Sequence, residues 1–207
     1  MTTHEFTAWP KTPRLFRTVV VTEKLDGTNA AIHISTVTHD THWGFPAESY
    51  SVAVDGQRYV LTAQSRSRVI TPGKGKDNFG FAGWVYENAE GLVRALGTGV
   101  HFGEWWGSGI QRGYGLTDRR FSLFNTDRHA DVNVRLGSAI LEPAPVLYQG
   151  EFSERAIVRA LESLKGLGSV AAPGFMNPEG ICVWHSQTRQ VFKVTLDNND
   201  AGKWETA

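Results

Sequence analysis

Apolar and polar positions alternate along this chain in short runs, a pattern that points to strands joined by turns before it points to helices. Val19, Val20 and Val21 form a β-branched run that leads to Asp26-Gly27 and then to a second apolar run from Ala31 to Ile34. Residues Thr18 to Ile34 therefore read as strand, tight turn and strand, with Lys24 where the first strand gives way to the turn. A second hairpin is predicted over Ser51 to Val54, Asp55-Gly56 and Tyr59 to Thr62, because Asp-Gly suits a turn that needs positive φ. From Asp77 to Leu96 the period lengthens, and Val85, Leu92, Val93 and Leu96 share a helical face that Gly83 and Gly91 weaken. Strands are expected at Val100 to Trp106 and Phe121 to Thr126. Ser153 then caps a helix whose Ile157, Leu161 and Leu164 repeat at i, i+4 and i+7, and Gly166 or Gly168 ends it. Two more strands, Ile181 to His185 and Gln190 to Leu196, complete an α+β pattern of mainly antiparallel sheet with flanking helices. No repeat, low-complexity tract or long linker divides the chain, so residues 1–207 are expected to form one domain.

Composition narrows the class. With 21 Lys plus Arg against 21 Asp plus Glu, there is no global positive field to gather nucleic acid from a distance, so any such contact must be local. No segment approaches the roughly 20 consecutive apolar residues that span a bilayer, and the first residues hold Lys11, Arg14 and Arg17 without an apolar signal region. The cytoplasm is the expected location, without a membrane partner. Cys182 is the single cysteine, which excludes an internal disulfide or a multi-thiolate metal site; it is expected as a small buried residue in a strand.

The string Glu23-Lys24-Leu25-Asp26-Gly27-Thr28-Asn29 raises the question of chemistry, because a lysine precedes a tight turn inside apolar surroundings. Alone it reads equally as turn chemistry, which Asp55-Gly56 also provides. Three further places set charge among apolar residues: Glu104 in His101-Phe102-Gly103-Glu104-Trp105-Trp106, Glu179 in Pro178-Glu179-Gly180-Ile181, and Lys193 in Val191-Phe192-Lys193-Val194. A lysine buried and unpaired in an apolar strand would be costly, so Lys193 is expected to have a charged partner or ligand.

This ordered series resembles the covalent nucleotidyltransferase superfamily of ATP-dependent ligases and mRNA capping enzymes. Lys24 to Asn29 is similar to its KxDGxN nucleophile motif, and Ser65-Arg66-Ser67-Arg68 to the arginine-bearing motif that follows. Phe102 to Trp105 resembles the motif with the essential glutamate, and Phe121 to Asn125 the adenine-stacking motif; Glu179-Gly180 and Lys193 complete the set. Glu23 before the lysine and Asn29 after it look most like the RNA ligase 2 and phage RNA ligase branch. The resemblance implies the ATP-grasp-like adenylation domain of DNA and RNA ligases. Only Asp197 to Ala207 follows the last motif, so an additional OB or helical domain is not expected in this chain.

The implied reaction is the joining of RNA ends, a 5′-phosphate and a 3′-hydroxyl, single or in a nicked duplex, through AMP bound to Lys24. ATP and Mg²⁺ or Mn²⁺ are the implied cofactors. Lys24 must attack as a neutral amine although a free lysine has a pKa of about 10.4, so a neighbouring cation such as Lys193, desolvation or a metal on the triphosphate has to favour that form. By resemblance, Lys193 contacts the α-phosphate, Glu179 holds the metal, Glu104 bonds the ribose hydroxyls, Phe124 or Phe121 stacks on adenine, and Arg66 reaches ribose or an RNA phosphate. Glu23, Asp26 and Asn29 belong to the same nucleotide site, the latter two ordering the loop and metal waters. Two positions depart from the pattern: Thr195 stands where the family places a second lysine, and Asn125 where many members carry Asp. A DNA-end ligase is the nearest enzymatic rival, and Thr195 with the missing second domain motivates another reading, a relative that binds nucleotide or RNA ends without catalysis. The sequence names no partner protein.

Other signals carry less. His39-Asp40-Thr41-His42 offers three ligands but lacks a fourth group, so a solvated loop is expected rather than a zinc site. Trp105-Trp106 is expected to pack in the core rather than stack on bases. The glycine-rich stretch from Gly103 to Gly115 has no GxxxxGK[ST] pattern and reads as a flexible loop that touches RNA through Gln111 and Arg112. Arg66, Arg68, Lys74 and Lys76 form the best local basic patch for a phosphate backbone.

Overall fold

In a computed structural model that describes residues 5–37 and 45–197, the valine-rich opening run is β1 (Thr18–Lys24) and the next apolar run is β2 (Thr28–Thr36). The segment His39 to His42 lies outside the described residues. β1 and β2 do not form the expected hairpin. β1 pairs antiparallel with β10 (Val146–Glu151) and β11 (Gly180–His185), whereas β2 pairs with β4 (Gln57–Ser65) and β6 (Gly99–Gly107). Leu25 to Gly27 is thus a crossover between two sheets. Gly27 does not take a positive φ. It is a point of close approach, where a Cβ would lie 2.4 Å from the Trp105 carbonyl oxygen and 2.6 Å from Trp106 Cβ.

Burial explains the separation. On β1, Val19 and Val21 face α3 (Glu154–Leu167), which supplies Ala160 and Leu164, and Ile181 and Val183 of β11 join them. On β2, Ala30, Ile32 and Ile34 enter a different core under α1 (Phe81–Glu87) and α2 (Ala89–Leu96), with Phe81, Trp84, Leu92, Trp105 and Phe121. The two valine- and isoleucine-rich runs each fill one core; paired together they would leave both helical layers without a floor. The smaller sheet has the order β10-β1-β11-β12, with β12 (Gln190–Thr195) at its edge. The larger has the order β3-β4-β2-β6-β7-β9-β8, with β3 (Tyr50–Val54) and β8 (Val134–Leu136) at its edges; β7 (Arg119–Leu123) and β9 (Ala139–Pro143) are parallel and all other pairs antiparallel.

The hairpin of β3 (Tyr50–Val54) and β4 forms as expected, with Asp55 at φ 49 and Gly56 at φ 80. The segment from Asp77 to Leu96 is two helices rather than one. Asp77 accepts from the N–H groups of Ala82 and Gly83, and the chain breaks at Asn88, whose Nδ2 donates to the Trp84 carbonyl. Ser153 accepts from the Ala156 N–H and Gly168, at φ 83, ends α3. Four strands were not expected: β5 (Val69–Ile70), β8 (Val134–Leu136), β9 and β10. Each is short or interrupted by proline and charge, and each gains its place from a neighbouring strand. Trp105 and Trp106 are both buried, as expected.

Candidate active site

Lys24 is the last residue of β1, and its register partner on β11 is Gly180. That pairing brings Glu179 alongside, and the Lys24 Nζ donates to Glu179 Oε2 at 2.6 Å. Both side chains keep about a fifth of their surface exposed, 22% and 18%, so the pair is sheltered yet reachable from solution. Across the crossover, Asn29 pairs in register with Glu104 of β6. Glu104 is half-buried, and burial pushes its carboxyl up to about 7; the Lys24 charge, the Gly27 N–H and the Arg66 charge oppose that rise, and the Glu179 charge adds to it. Charges from three of the predicted positions, Lys24, Arg66 and Glu179, thus act on one carboxylate.

The face of the larger sheet turned away from α1 and α2 is laid out in rows. Asn29, Glu104 and Ser122 occupy one row, and Ala31 and Phe102 the next, where the Phe124 N–H donates to the Phe102 carbonyl. Phe124 and Phe102 are exposed, at 45% and 49%, while Phe121 is wholly enclosed with Phe81 and Trp84. Of the two aromatic residues expected over adenine, Phe121 is therefore excluded by the core and Phe124 is open. Phe102 was not expected; alternation with Glu104 on the same strand is the signal that identifies it. Arg66 is exposed in the turn between β4 and β5.

Three expectations need correction. Glu23 faces away from Lys24: its oxygens accept from the Ser169 hydroxyl at 2.6 Å and from the Val170 and Ala171 N–H groups at 2.8 and 3.0 Å, so its side chain anchors the loop after α3. Lys193 is not buried. β12 is an exposed edge strand, with Val191 and Phe192 at 61% and 49%, so the cost assumed for an apolar strand does not arise. It still shares a cross-strand row with Cys182 and Thr22 on the Lys24 face, and Thr195 shares the row of Gly180 and Lys24. Finally, the glycine-rich stretch holds Arg112 against protein. Its Nε donates to Asp26 Oδ2 at 2.8 Å, one terminal nitrogen to the Asn177 carbonyl at 3.0 Å, and the other to Asp197 Oδ2.

Cys182 lies in β11 as expected but is half-buried; burial pushes its thiol up, and Lys24, Glu179, Glu104 and Lys193 all act on it. Lys193 and Lys24 are thus gathered around one point of the smaller sheet. Among the described residues no cluster of three or more His, Cys, Asp and Glu side chains forms a preassembled metal cage. Glu179 supplies one hard oxygen ligand, and no described residue hydrogen-bonds its Oε1. That donor set fits Mg²⁺ or Mn²⁺, which takes one or two carboxylates and completes its shell with phosphate and water. An apolar groove of about 340 Å³, lined by Leu15, Phe152, Val183 and Phe192, lies on the α3 side and holds none of these residues.

A model of the RNA ligase family matches residues 17–195, from the start of β1 to the end of β12. The chain belongs to the RNA ligase family. No curated protein matches it. Among solved structures, this family member is similar to Naegleria gruberi RNA ligase. A glutamate-to-alanine variant with AMP and Mn matches at 17% identity and TM-score 0.52, over 87% of this chain and 50% of that one. An arginine-to-alanine variant with ATP and Mn matches at 16% and 0.50, over 88% and 51%. A lysine-to-alanine variant with ATP and Mn matches at 15% and 0.50, over 86% and 49%. This chain spans about half the length of these relatives, and at such identity the likeness concerns the fold: mixed α+β with mainly antiparallel sheets. No helix among the described residues is long and apolar enough to cross a membrane.

Proposed function

We propose that residues 17–195 act as the adenylyltransferase unit of an ATP-dependent RNA ligase, with Lys24 as the nucleophile. The observation that carries this reading is the meeting of Lys24, Glu179 and Glu104 at the crossover between the sheets, in a chain of the RNA ligase family. Supporting it, the Naegleria gruberi variants replace a glutamate and a lysine fourteen positions apart, the separation of Glu179 and Lys193.

The chemistry follows from the groups. Lys24 Nζ, having lost a proton to solvent, attacks the α-phosphorus of ATP; a P–N bond forms, the bond to pyrophosphate breaks, and pyrophosphate leaves. An oxygen of an RNA 5′-phosphate then attacks the same phosphorus, breaking the P–N bond and returning the amine. The 3′-hydroxyl of the second end displaces AMP and closes the phosphodiester. Lys193, free to move on an exposed edge, stabilises negative charge on the α-phosphate oxygens. Glu179 would hold Mg²⁺ or Mn²⁺, which would supply further positive charge there. Glu104 accepts from the ribose hydroxyls, Phe124 covers the adenine, Asn29 orders the loop, and Arg66 reaches the ribose or an RNA phosphate. As nucleotide enters, Lys24 must exchange Glu179 for the phosphate, which would leave the carboxylate to the metal. A reducing, ATP-containing compartment, the cytoplasm, fits a chain with one unpaired cysteine.

Protein mixed with ATP and Mg²⁺ should gain the mass of one AMP, labile to acid and absent from Lys24→Ala. An intact mass unchanged with ATP, GTP and NAD in turn would remove the covalent mechanism and leave a binding protein. RNA over DNA is tested by sealing matched nicked duplexes and single strands with ribose or deoxyribose on the 3′-hydroxyl side, where a 2′-hydroxyl contact can distinguish them. Equal sealing of all-DNA ends would move the assignment to DNA.

A further inference from the structure

The loop between β6 and β7 is built with unusual backbone. Gly107, Gly109, Gly113 and Gly115 all have positive φ, and so do two residues that rarely adopt it, Gln111 at φ 45 and Tyr114 at φ 53. Such conformations persist where surrounding contacts over-determine them. Here those contacts converge on the residue two places after the nucleophile. The Tyr114 hydroxyl, enclosed with Leu25 and Trp106, accepts the Asp26 N–H at 2.9 Å, and Arg112 Nε donates to the Asp26 carboxylate at 2.8 Å. The same guanidinium reaches two further segments. It donates to the Asn177 carbonyl at 3.0 Å, two residues before Glu179, and to Asp197, two residues after Thr195. Arg112 is 17% exposed, and each of its three donor nitrogens serves a different segment.

We propose that Arg112 is a positioning residue that locks the Lys24 loop to the Glu179 segment and to the end of β12, so that the three arrive at the nucleotide in one fixed geometry. This rests on the adenylyltransferase reading of the site. Arg112 belongs to the larger sheet's connection, while Asn177 and Asp197 flank β11 and β12 of the smaller one. Its guanidinium therefore ties the two sheets together at the crossover, the place where their relative position sets the distance from Lys24 to Glu104. A lysine cannot replace it, because a single ammonium cannot present three donors along these fixed, planar directions. Asp26, in turn, is held by protein on both its N–H and its carboxylate, so it orders the nucleophile's loop.

Loss of the lock should misplace the nucleophile without removing a nucleotide contact. In Arg112→Ala and Arg112→Lys, the single-turnover rate of AMP gain at saturating ATP should fall on the order of tenfold to a hundredfold, as small misplacements do. The ATP concentration giving half that rate should move less than about threefold. Millimolar guanidinium should restore part of the rate to Arg112→Ala and none to Lys24→Ala. Independently of activity, amide exchange should quicken in peptides covering 24–29 and 175–182 and stay unchanged in the β3–β4 hairpin. A full-rate variant, a loss that appears wholly as weaker ATP dependence, or exchange that quickens evenly over the chain would overturn the proposal. A wild type that never gains AMP would instead overturn the adenylyltransferase reading, and the exchange experiment would still judge the lock.

Discussion

Glu104 titrates near neutrality because burial disfavours its charge, and Lys24, the Gly27 N–H and Arg66 only partly offset that. Its carboxyl stands at about 7 in the fold against 4.5 as the ordinary value, so the fold binds the proton more tightly. Stability from this group is complete below pH 4.5 and is lost as pH rises through 7. Glu104→Gln should therefore gain about 3 kcal/mol over wild type at pH 8 and nothing at pH 4, while charging with AMP falls because a ribose acceptor is gone. Thermal melts of both proteins at the two pH values check this; an equal difference at each would show that Glu104 is not held protonated. Lys193→Ala should lose about 2.7 to 4 kcal/mol of transition-state stabilisation in the first step. Thr195→Lys, which puts a second cation on the row of Gly180 and Lys24, should leave charging unchanged or raise it. Single-turnover rates for lysine charging and for sealing an end that already bears AMP separate these effects; a Lys193→Ala protein that charges normally would place the phosphate elsewhere.

The two Asp-Gly dipeptides show what an element's sequence can and cannot reveal. Asp55-Gly56 turns a hairpin, with open space around Gly56, whereas Gly27 passes over β6 at a separation no side chain permits. Local chemistry is the same in both; the difference is a neighbour that lies nearly eighty positions away. Gly27→Ala should destabilise the fold by about 1–3 kcal/mol through overpacking and impair charging. Gly56→Ala should cost about 1 kcal/mol through its positive φ and leave charging intact. Urea unfolding and AMP gain measured on both variants test the contrast, and equal charging by the two would return Gly27 to turn chemistry. Helix α3, its caps and the β3–β4 hairpin were legible because their signals are local. Lys24, Glu104 and Glu179 were legible as a set through their motifs. Glu23 and Arg112 were not, since their partners at Ser169, Asn177 and Asp197 come from connections that no periodicity describes.

At the scale of the molecule, acid acts through a buried histidine pair as well as through carboxylates. His101 Nδ1 lies 3.4 Å from His129 Nε2, and His101 Nε2 sits 3.1 Å from the Gly97 carbonyl. Burial first, then the Arg128, His129 and His33 charges, holds His101 down to about 4, against the pull of the Gly97 carbonyl. The unfolded chain binds this proton more readily, so stability falls as pH drops from 6.5 to about 4, by about 3 kcal/mol in all. Glu104 has the opposite sign over much of that window, so whole-protein curves conceal both. Urea unfolding of wild type and His101→Gln at pH 7.5 and 4.5 should isolate the histidine, with the wild type losing more stability on acidification; parallel losses would show that the pair is already charged in the fold. The crossover at Leu25 to Gly27 also bears on how the chain is made. β1 emerges first from the ribosome, yet its partners β10 and β11 lie at residues 146–151 and 180–185. The larger sheet can assemble while the valine-rich segment that ends in Lys24 waits unpaired, an edge open to the wrong strand until β10 and β11 are made. Lys24, the proposed nucleophile, is thus made before the strands that hold it and reaches its place only after them.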